Sequence, residues 1–188
     1  MTNKLNKFLA SLPEEKEFNT INVSLVKDFF SDETILNYNF NIAVLSESKF
    51  QNICFIDNDF YGSYFFECEF HNCTFNKTRF SKAEWSDCTF INCQFDGCFF
   101  QRTEINTTVF QSCNFSNVDL IASNLYETTF KNCFFKKLPV MTNKTLSMVV
   151  SDSKFYKEKE QKAVPLNDES DFLKILHEMN AFESNTPN

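Results

Sequence analysis

FECEF-HNCTF-NKTRF-SKAEW-SDCTF-INCQF-DGCFF, residues 66–100, ends every fifth position on a large apolar side chain. The register runs outward in both directions. From Phe40 to Phe135 all twenty positions divisible by five are Phe, Leu, Ile or Trp, without a slip. Two residues earlier in each unit the side chain is small or compact in seventeen of twenty cases, from Ala43, Ser48 and Cys68 to Cys133; the exceptions are Tyr38, Ile53 and Asn58. A period of five matches neither a helix nor a strand. It matches a short extended step followed by a tight turn, in which residues two apart point the same way.

Four such steps close a square of twenty residues, so residues n and n+20 stack at the strand spacing of about 4.8 Å. The columns are uniform enough to support this. Asn52, Asn72, Asn92 and Asn132, completed by Ser112, occupy one corner, where stacked amides would hydrogen-bond along the axis. Cys73, Cys93, Cys113 and Cys133 form another column. Two ladders dominate the expected core: Phe50, Phe70, Phe90, Phe110 and Phe130, and Phe55, Phe75, Phe95, Phe115 and Phe135. The expected fold is all-β, a four-sided parallel β-helix of about 20-residue coils with a capping helix at each end.

Over residues 36–135 this pattern resembles the pentapeptide-repeat family. The resemblance implies a right-handed quadrilateral β-helix, pairing of some members at their C-terminal end, and Ala, Ser, Thr, Val or Cys at the small inward position. One branch of the family, the quinolone-resistance and toxin-immunity proteins, resembles a DNA duplex and binds DNA gyrase or topoisomerase IV.

The 188 residues include 25 Phe but only 2 Gly and 4 Pro, so the turns are expected to be copies of one geometry made without glycine. A net charge of −7 disfavours direct nucleic-acid binding through a basic surface. The N-terminal stretch lacks the apolar run of a signal peptide, and no segment approaches the roughly 20 apolar residues of a membrane span. A cytoplasmic protein with its cysteines as thiols, and with no membrane partner, is expected.

A raw solenoid end exposes core and strand edges and has to be covered. Residues 1–17 supply one cap: Leu5, Phe8, Leu9 and Leu12 follow helical spacing, with Thr2 as cap and Pro13 as stop. The solenoid proper is read as 18–155. Asp28 and Glu33 fall at inward positions and predict an irregular first coil; Leu138, Val140, Met148, Val150 and Phe155 keep the register loosely and predict one degraded coil over 136–155. Residues 156–188 read as a charged linker, Lys157 to Lys162, and a helix capped by Asn167 or Asp168 and running to about Phe182. Its stripe of Phe172, Ile175, Leu176 and Met179 covers the C-terminal end or joins two copies there, leaving monomer and homodimer open.

Seven of the eight cysteines, all but Cys54, sit at the small inward position and read as compact core filler, with metal or redox chemistry the alternative. Their spacing matches no zinc knuckle. His71 and His177 stand apart from any nucleophile, no Gly-rich phosphate loop exists, and Asp57/Asp59 and Glu67/Glu69 read as surface charge. No enzyme, metal or cofactor is expected.

The surface carries more information. Glu47, Glu67, Asp87 and Glu127 share one corner column, interrupted by Thr107, and form an acidic ridge or a merely solvated edge. Lys82 and Arg102 stack on the neighbouring corner, close to Arg79. Between them Tyr64, Phe66 and Tyr126 point outward beside Glu84 and Glu104, a candidate protein-binding or dimer face. Two readings follow: a non-enzymatic scaffold for an unidentified protein partner, or a DNA mimic that binds a type II topoisomerase. Against the second, residues 36–135 contain none of the coil-interrupting loops of many quinolone-protecting members. They also carry 11 acids against 6 bases, a net of only −5.

Overall fold

A computed structural model describes residues 4–12, 23–136, 144–158 and 160–183, with the backbone alone at 144–146, 176 and 179–183. Successive coils stack in parallel, n on n+20, as in Leu25 on Leu45, Phe70 on Phe90 and Phe95 on Phe115. The first side is a sheet of Ser24–Val26, Val44–Ser46, Tyr64–Phe66, Glu84–Ser86, Glu104–Asn106, Asn124–Tyr126 and Lys144–Leu146. The second side runs the same way from Phe29–Ser31 to Val149–Ser151, and the third from Thr34–Leu36 to Ser153–Lys157. The fourth side has no continuous sheet. Single bridges link Asn39, Asp59, Arg79, Phe99 and Asp119, and the N–H groups of Ala43, Ser63, Ala83 and Thr103 close tight turns onto the carbonyls of Phe40, Phe60, Phe80 and Phe100 at 2.9–3.2 Å.

The residues divisible by five fill the interior. Phe rings stack along the axis at 4.6–5.0 Å from Phe50 through Phe70, Phe90 and Phe110 to Phe130, and at 4.9–5.1 Å from Phe55 through Phe75, Phe95 and Phe115 to Phe135. Rings on adjacent sides meet edge to face, as Phe90 and Phe95 do at 60°, a geometry favoured by the ring quadrupole. Trp85 is fully buried in the first-side column, and its Nε1 is the one buried side-chain polar atom among the described residues without a hydrogen-bond partner.

The small inward position does more than fill space. Its hydroxyl or thiol donates to the carbonyl of a core residue one coil below: Ser63 to Phe40, Thr103 to Phe80, Cys93 to Phe70, Cys113 to Phe90 and Cys133 to Phe110. Asn58, an exception to the small rule, serves the same purpose by donating Nδ2 to the Ile35 carbonyl at 2.8 Å. A compact donor is therefore what Ser, Thr and Cys share there, which explains their interchange.

The turns are copies of one geometry, as the scarcity of glycine implies. Every fifth residue from Lys27 to Asn132 has a left-handed backbone with φ of 46–65°, and of these 22 corners only Gly62 and Gly97 are glycine. Twenty of these corner N–H groups donate to a carbonyl of the next coil, as Lys27 to Ser46 and Asn92 to Gln111, and this bonding holds the chain in a region that L-residues otherwise avoid. Asn and Asp, which tolerate that region best, recur at these corners. Ile42 and Thr107 are the two β-branched occupants, with φ of 58° and 46°, and Ile42 is the apolar one, 48% exposed. Ile42→Asn is expected to raise stability by about 1 kcal/mol, read as a later denaturant midpoint with an unchanged slope; an earlier midpoint would show that Ile42 holds the corner.

From Val23 onward the first coil is regular, contrary to the irregularity predicted from its inward acids. Those acids dock helix α1 (Lys4–Ser11) onto the end of the solenoid. Glu33, 4% exposed, accepts the backbone N–H groups of Leu5 and Asn6 at 2.8 Å each and the Asn6 amide at 3.0 Å, while Asp28 pairs with Lys4 at 2.7 Å. The free N–H groups of a helix start thus find a carboxylate offered by the open coil. Leu5 and Leu9 bury beneath the helix, with Phe8 and Leu12 packed against the core. Thr2 and Pro13 lie outside the described residues.

At the other end the coil placed at 136–155 keeps its register where described, with Val150 on Phe130 and Phe155 on Phe135; Leu138 and Val140 lie outside the described residues. Lys157 to Lys162 is the turn of a hairpin rather than a linker, since Lys162–Leu166 returns antiparallel to Ser153–Lys157 and closes the edge of the third side. Helix α2 (Glu169–Glu183) is capped by Asp168, whose Oδ1 accepts the Asp171 N–H at 3.0 Å and the Ser170 hydroxyl at 2.7 Å. The hydroxyl foremost, and the N–H with it, hold that carboxyl below its ordinary pKa. Phe172 covers the last rings, 5.2 Å from Phe135 and 5.8 Å from Phe130, and Ile175 buries beside it. The side chains of Leu176 and Met179 lie outside the described residues. No helix among the described residues is long and apolar enough to cross a membrane.

Candidate interaction surfaces

Chemistry at buried groups has little to build on. The column Cys73, Cys93, Cys113 and Cys133 lies in the core with each thiol on a Phe carbonyl. Burial pushes the Cys98 thiol up to about 12 and raises that of Cys93 as well. Desolvation is the chief cause at both, and it keeps the Cys98 thiol protonated and unreactive. Cys54 differs, standing half-exposed on the outer face of the third side. One thiol per chain, Cys54, is therefore expected to react with a thiol reagent under native conditions, and the seven buried ones only in denaturant. Several fast-reacting thiols in the native protein would mean that the coils open. Among the described residues no group of three or more His, Cys, Asp or Glu side chains is placed to hold a metal ion. His71 meets Glu69 at 3.3 Å on the second side, where Glu69 also pairs with Lys49 at 2.8 Å; Lys49 foremost holds the Glu69 carboxyl below its ordinary pKa. His177 is exposed on α2.

The outer columns divide into two kinds. Several stack opposite charges or amides from coil to coil. Lys27 meets Glu47 at 3.3 Å, Lys49 meets Glu69 at 2.8 Å, and Asp59 meets Arg79 at 3.3 Å. In the Asn corner the Asn52 amide donates to Asp32, Asn72 to Asn52, Asn92 to Asn72, and Asn132 to Ser112, at 2.7–3.3 Å. The Asn52 amide is also the main reason the Asp32 carboxyl lies below its ordinary pKa.

The first side and its trailing corner, beyond the Lys27–Glu47 pair at that corner's start, are different. Glu84 stacks directly on Glu104. The ridge of Glu47, Glu67, Asp87 and Glu127 is exposed, with Glu47 partly neutralised by Lys27 and Asp87 accepting the Thr107 hydroxyl at 2.6 Å. Tyr64 and Phe66 share one strand, and register places Val44 beneath Tyr64 and Ser46 beneath Phe66. Tyr64, Phe66, Val44, Val26 and the corner residue Ile42 are 42–48% exposed. Tyr126 is separated from Phe66 by Ser86 and Asn106, three coils along or about 14 Å, and is half-buried. The aromatic face thus gathers Tyr64 and Phe66 but leaves Tyr126 apart. Ile42, Val26 and Val44 join it, and the n+20 arithmetic that links 44 to 64 was the signal for the last of them. On the far side of the leading corner Arg79 and Lys82 flank the Tyr61 ring at 4.9 and 5.1 Å.

The model of the pentapeptide repeat region matches residues 63–138. Over those residues the chain is a pentapeptide-repeat region. Within that fold, a trypsin-treated form of QnrB1, a plasmid-mediated fluoroquinolone resistance protein, superposes with a TM-score of 0.60 at 16% identity, over 70% of this chain and 72% of that one. A second trypsin-treated QnrB1 matches at 18% identity and a TM-score of 0.41, over 83% and 94% of the two chains. The pentapeptide-repeat protein Rfr23 from the cyanobacterium Cyanothece 51142 matches at 9% identity and a TM-score of 0.26, over 69% and 89%. No curated protein matches the chain. At 16% identity the likeness to QnrB1 speaks for the fold alone.

Proposed function

We propose that this pentapeptide-repeat protein is a non-catalytic scaffold that binds another protein through its first side. One observation carries the reading: the first side stacks Glu84 on Glu104 and gathers Val26, Val44, Tyr64 and Phe66 on neighbouring strands, whereas columns on the other sides pair Lys49 with Glu69 and Asp59 with Arg79. Like charges opposed across parallel strands are destabilising, and clustered exposed apolar surface marks interaction sites. Neither feature serves the stability of the coil.

The test is photo-crosslinking in cells, with a benzophenone amino acid at position 64 and, as a control, at Gln94 on the third side. Discrete adducts from position 64 alone are expected. Silence at 64, or the same adducts from 94, would remove the first side as the binding face.

The acidic ridge favours a second reading, binding to DNA gyrase or topoisomerase IV in place of DNA. It supposes that Glu67 and Asp87 stand in for phosphates, and it is tested by a gyrase supercoiling assay with and without a fluoroquinolone. Inhibition or rescue that Glu67→Lys with Asp87→Lys abolishes would establish it, and no effect at tens of micromolar protein would end it.

A further inference from the structure

We infer that the partner segment seated on the first side is cationic with an apolar anchor, a basic amphipathic stretch of another protein. The inference rests on the scaffold reading and names what its binding face takes. Along the axis, one outward column of that side reads Val44, Tyr64, Glu84, Glu104 in strict register. Two apolar side chains are followed by two stacked carboxylates. The parallel column reads Ser46, Phe66, Ser86, Asn106, and the trailing corner reads Glu47, Glu67, Asp87, Thr107. The lower coils therefore offer an apolar platform of Ile42, Val44, Tyr64 and Phe66, and the coils above it offer Glu84 and Glu104 flanked by Asp87.

None of Glu67, Glu84 and Glu104 has an ion-pair partner among the described residues. The cations nearest in sequence to Glu84 and Glu104 are Lys82 and Arg102 at the leading corner, and Lys82 places its ammonium over the Tyr61 ring. Cations supplied from outside would relieve the stacked carboxylates, and an apolar anchor one or two coils lower would cover the exposed rings. Ile42 gives an independent reason. A β-branched residue in a left-handed corner, with its side chain half-exposed, is a poor choice for the fold, and strain of this kind gathers where a surface is used.

The probe is a short fluorescein-labelled peptide with leucines at one end and lysines and arginines at the other, compared by anisotropy with its Glu/Asp counterpart and with a basic peptide lacking leucine. The basic amphipathic peptide is expected to bind at least about tenfold more tightly than either, and to weaken between about 50 and about 300 mM salt as screening grows. Glu84→Gln with Glu104→Gln is expected to cost about tenfold, and so is Ile42→Asn, whose denaturant midpoint is read alongside to exclude unfolding as the cause. Asp57→Asn with Asp119→Asn removes the same charge from other parts of the surface and is expected to change binding by less than about twofold.

Equal binding of the acidic peptide, or equal loss in the control variant, overturns the inference. So does sedimentation that shows a dimer abolished by the Glu84 and Glu104 changes, since the occupant would then be a second copy. Adducts at position 64 to a neutral or acidic partner segment would leave the scaffold reading standing and remove this one; no adducts and no peptide binding would remove both.

Discussion

Phe90→Ala is expected to destabilise the protein by about 4–5 kcal/mol, against about 3 kcal/mol for Phe40→Ala. Both rings are about 1% exposed, so the area withdrawn from water is nearly the same. Their neighbours differ. Phe90 has Phe70 below at 4.6 Å, Phe110 above at 5.0 Å, Trp85 at 4.7 Å and Phe95 at 5.7 Å, so truncation opens a cavity walled by rings that the stacked sheets hold in place. Phe40, in the first coil, stacks on Phe60 at 4.4 Å and touches Tyr38 at 4.7 Å, but among the described residues no ring of its own column lies beneath it. That end can relax around the loss, because each coil in a solenoid answers only to its neighbours. Denaturant melts followed by circular dichroism and by Trp85 emission measure both variants. Equal losses would mean that stacking along the axis adds nothing to burial.

Glu33→Ala is expected to release the N-terminal cap. The carboxylate accepts two backbone N–H groups of α1 at 2.8 Å, and without it these are left unpaired at a buried site. Hydrogen bonds to a charged acceptor contribute about 1.5–3 kcal/mol each. The loss is expected to speed amide exchange about a hundredfold in α1 and the first coil while the middle coils keep their protection. Glu33→Gln retains one acceptor oxygen and is expected to fall between the two. Unchanged exchange in α1 after Glu33→Ala would show that Leu5 and Leu9 hold the helix unaided.

The interior was legible from one residue in five. A side chain two positions before a core residue points inward whatever its neighbours are, so period alone placed Phe50 to Phe130, Phe55 to Phe135 and the cysteine column. The n+20 arithmetic likewise put the Asn corner in register. Surface columns followed the same arithmetic, which is why Glu47, Glu67, Asp87 and Glu127 fall on one edge in the structure. Tyr126 shows the limit of that arithmetic, since sharing a side with Phe66 still leaves it three coils away.

The coil, its register and which side chains face in were written in the order of the residues. What depends on a partner elsewhere in the chain took the folded structure to settle. The left-handed corners depend on hydrogen bonds from corner N–H groups to the coil above, a partner no local pattern contains. The fourth side closes by turns although its core residues Phe40, Phe60, Phe80 and Phe100 obey the same rule as the others. Glu33 reads as a fault in the first coil until α1 arrives from 28 residues away. Periodicity fixes a residue's direction, but at an end the neighbouring coil is missing, and whatever covers it must come from a distant part of the chain.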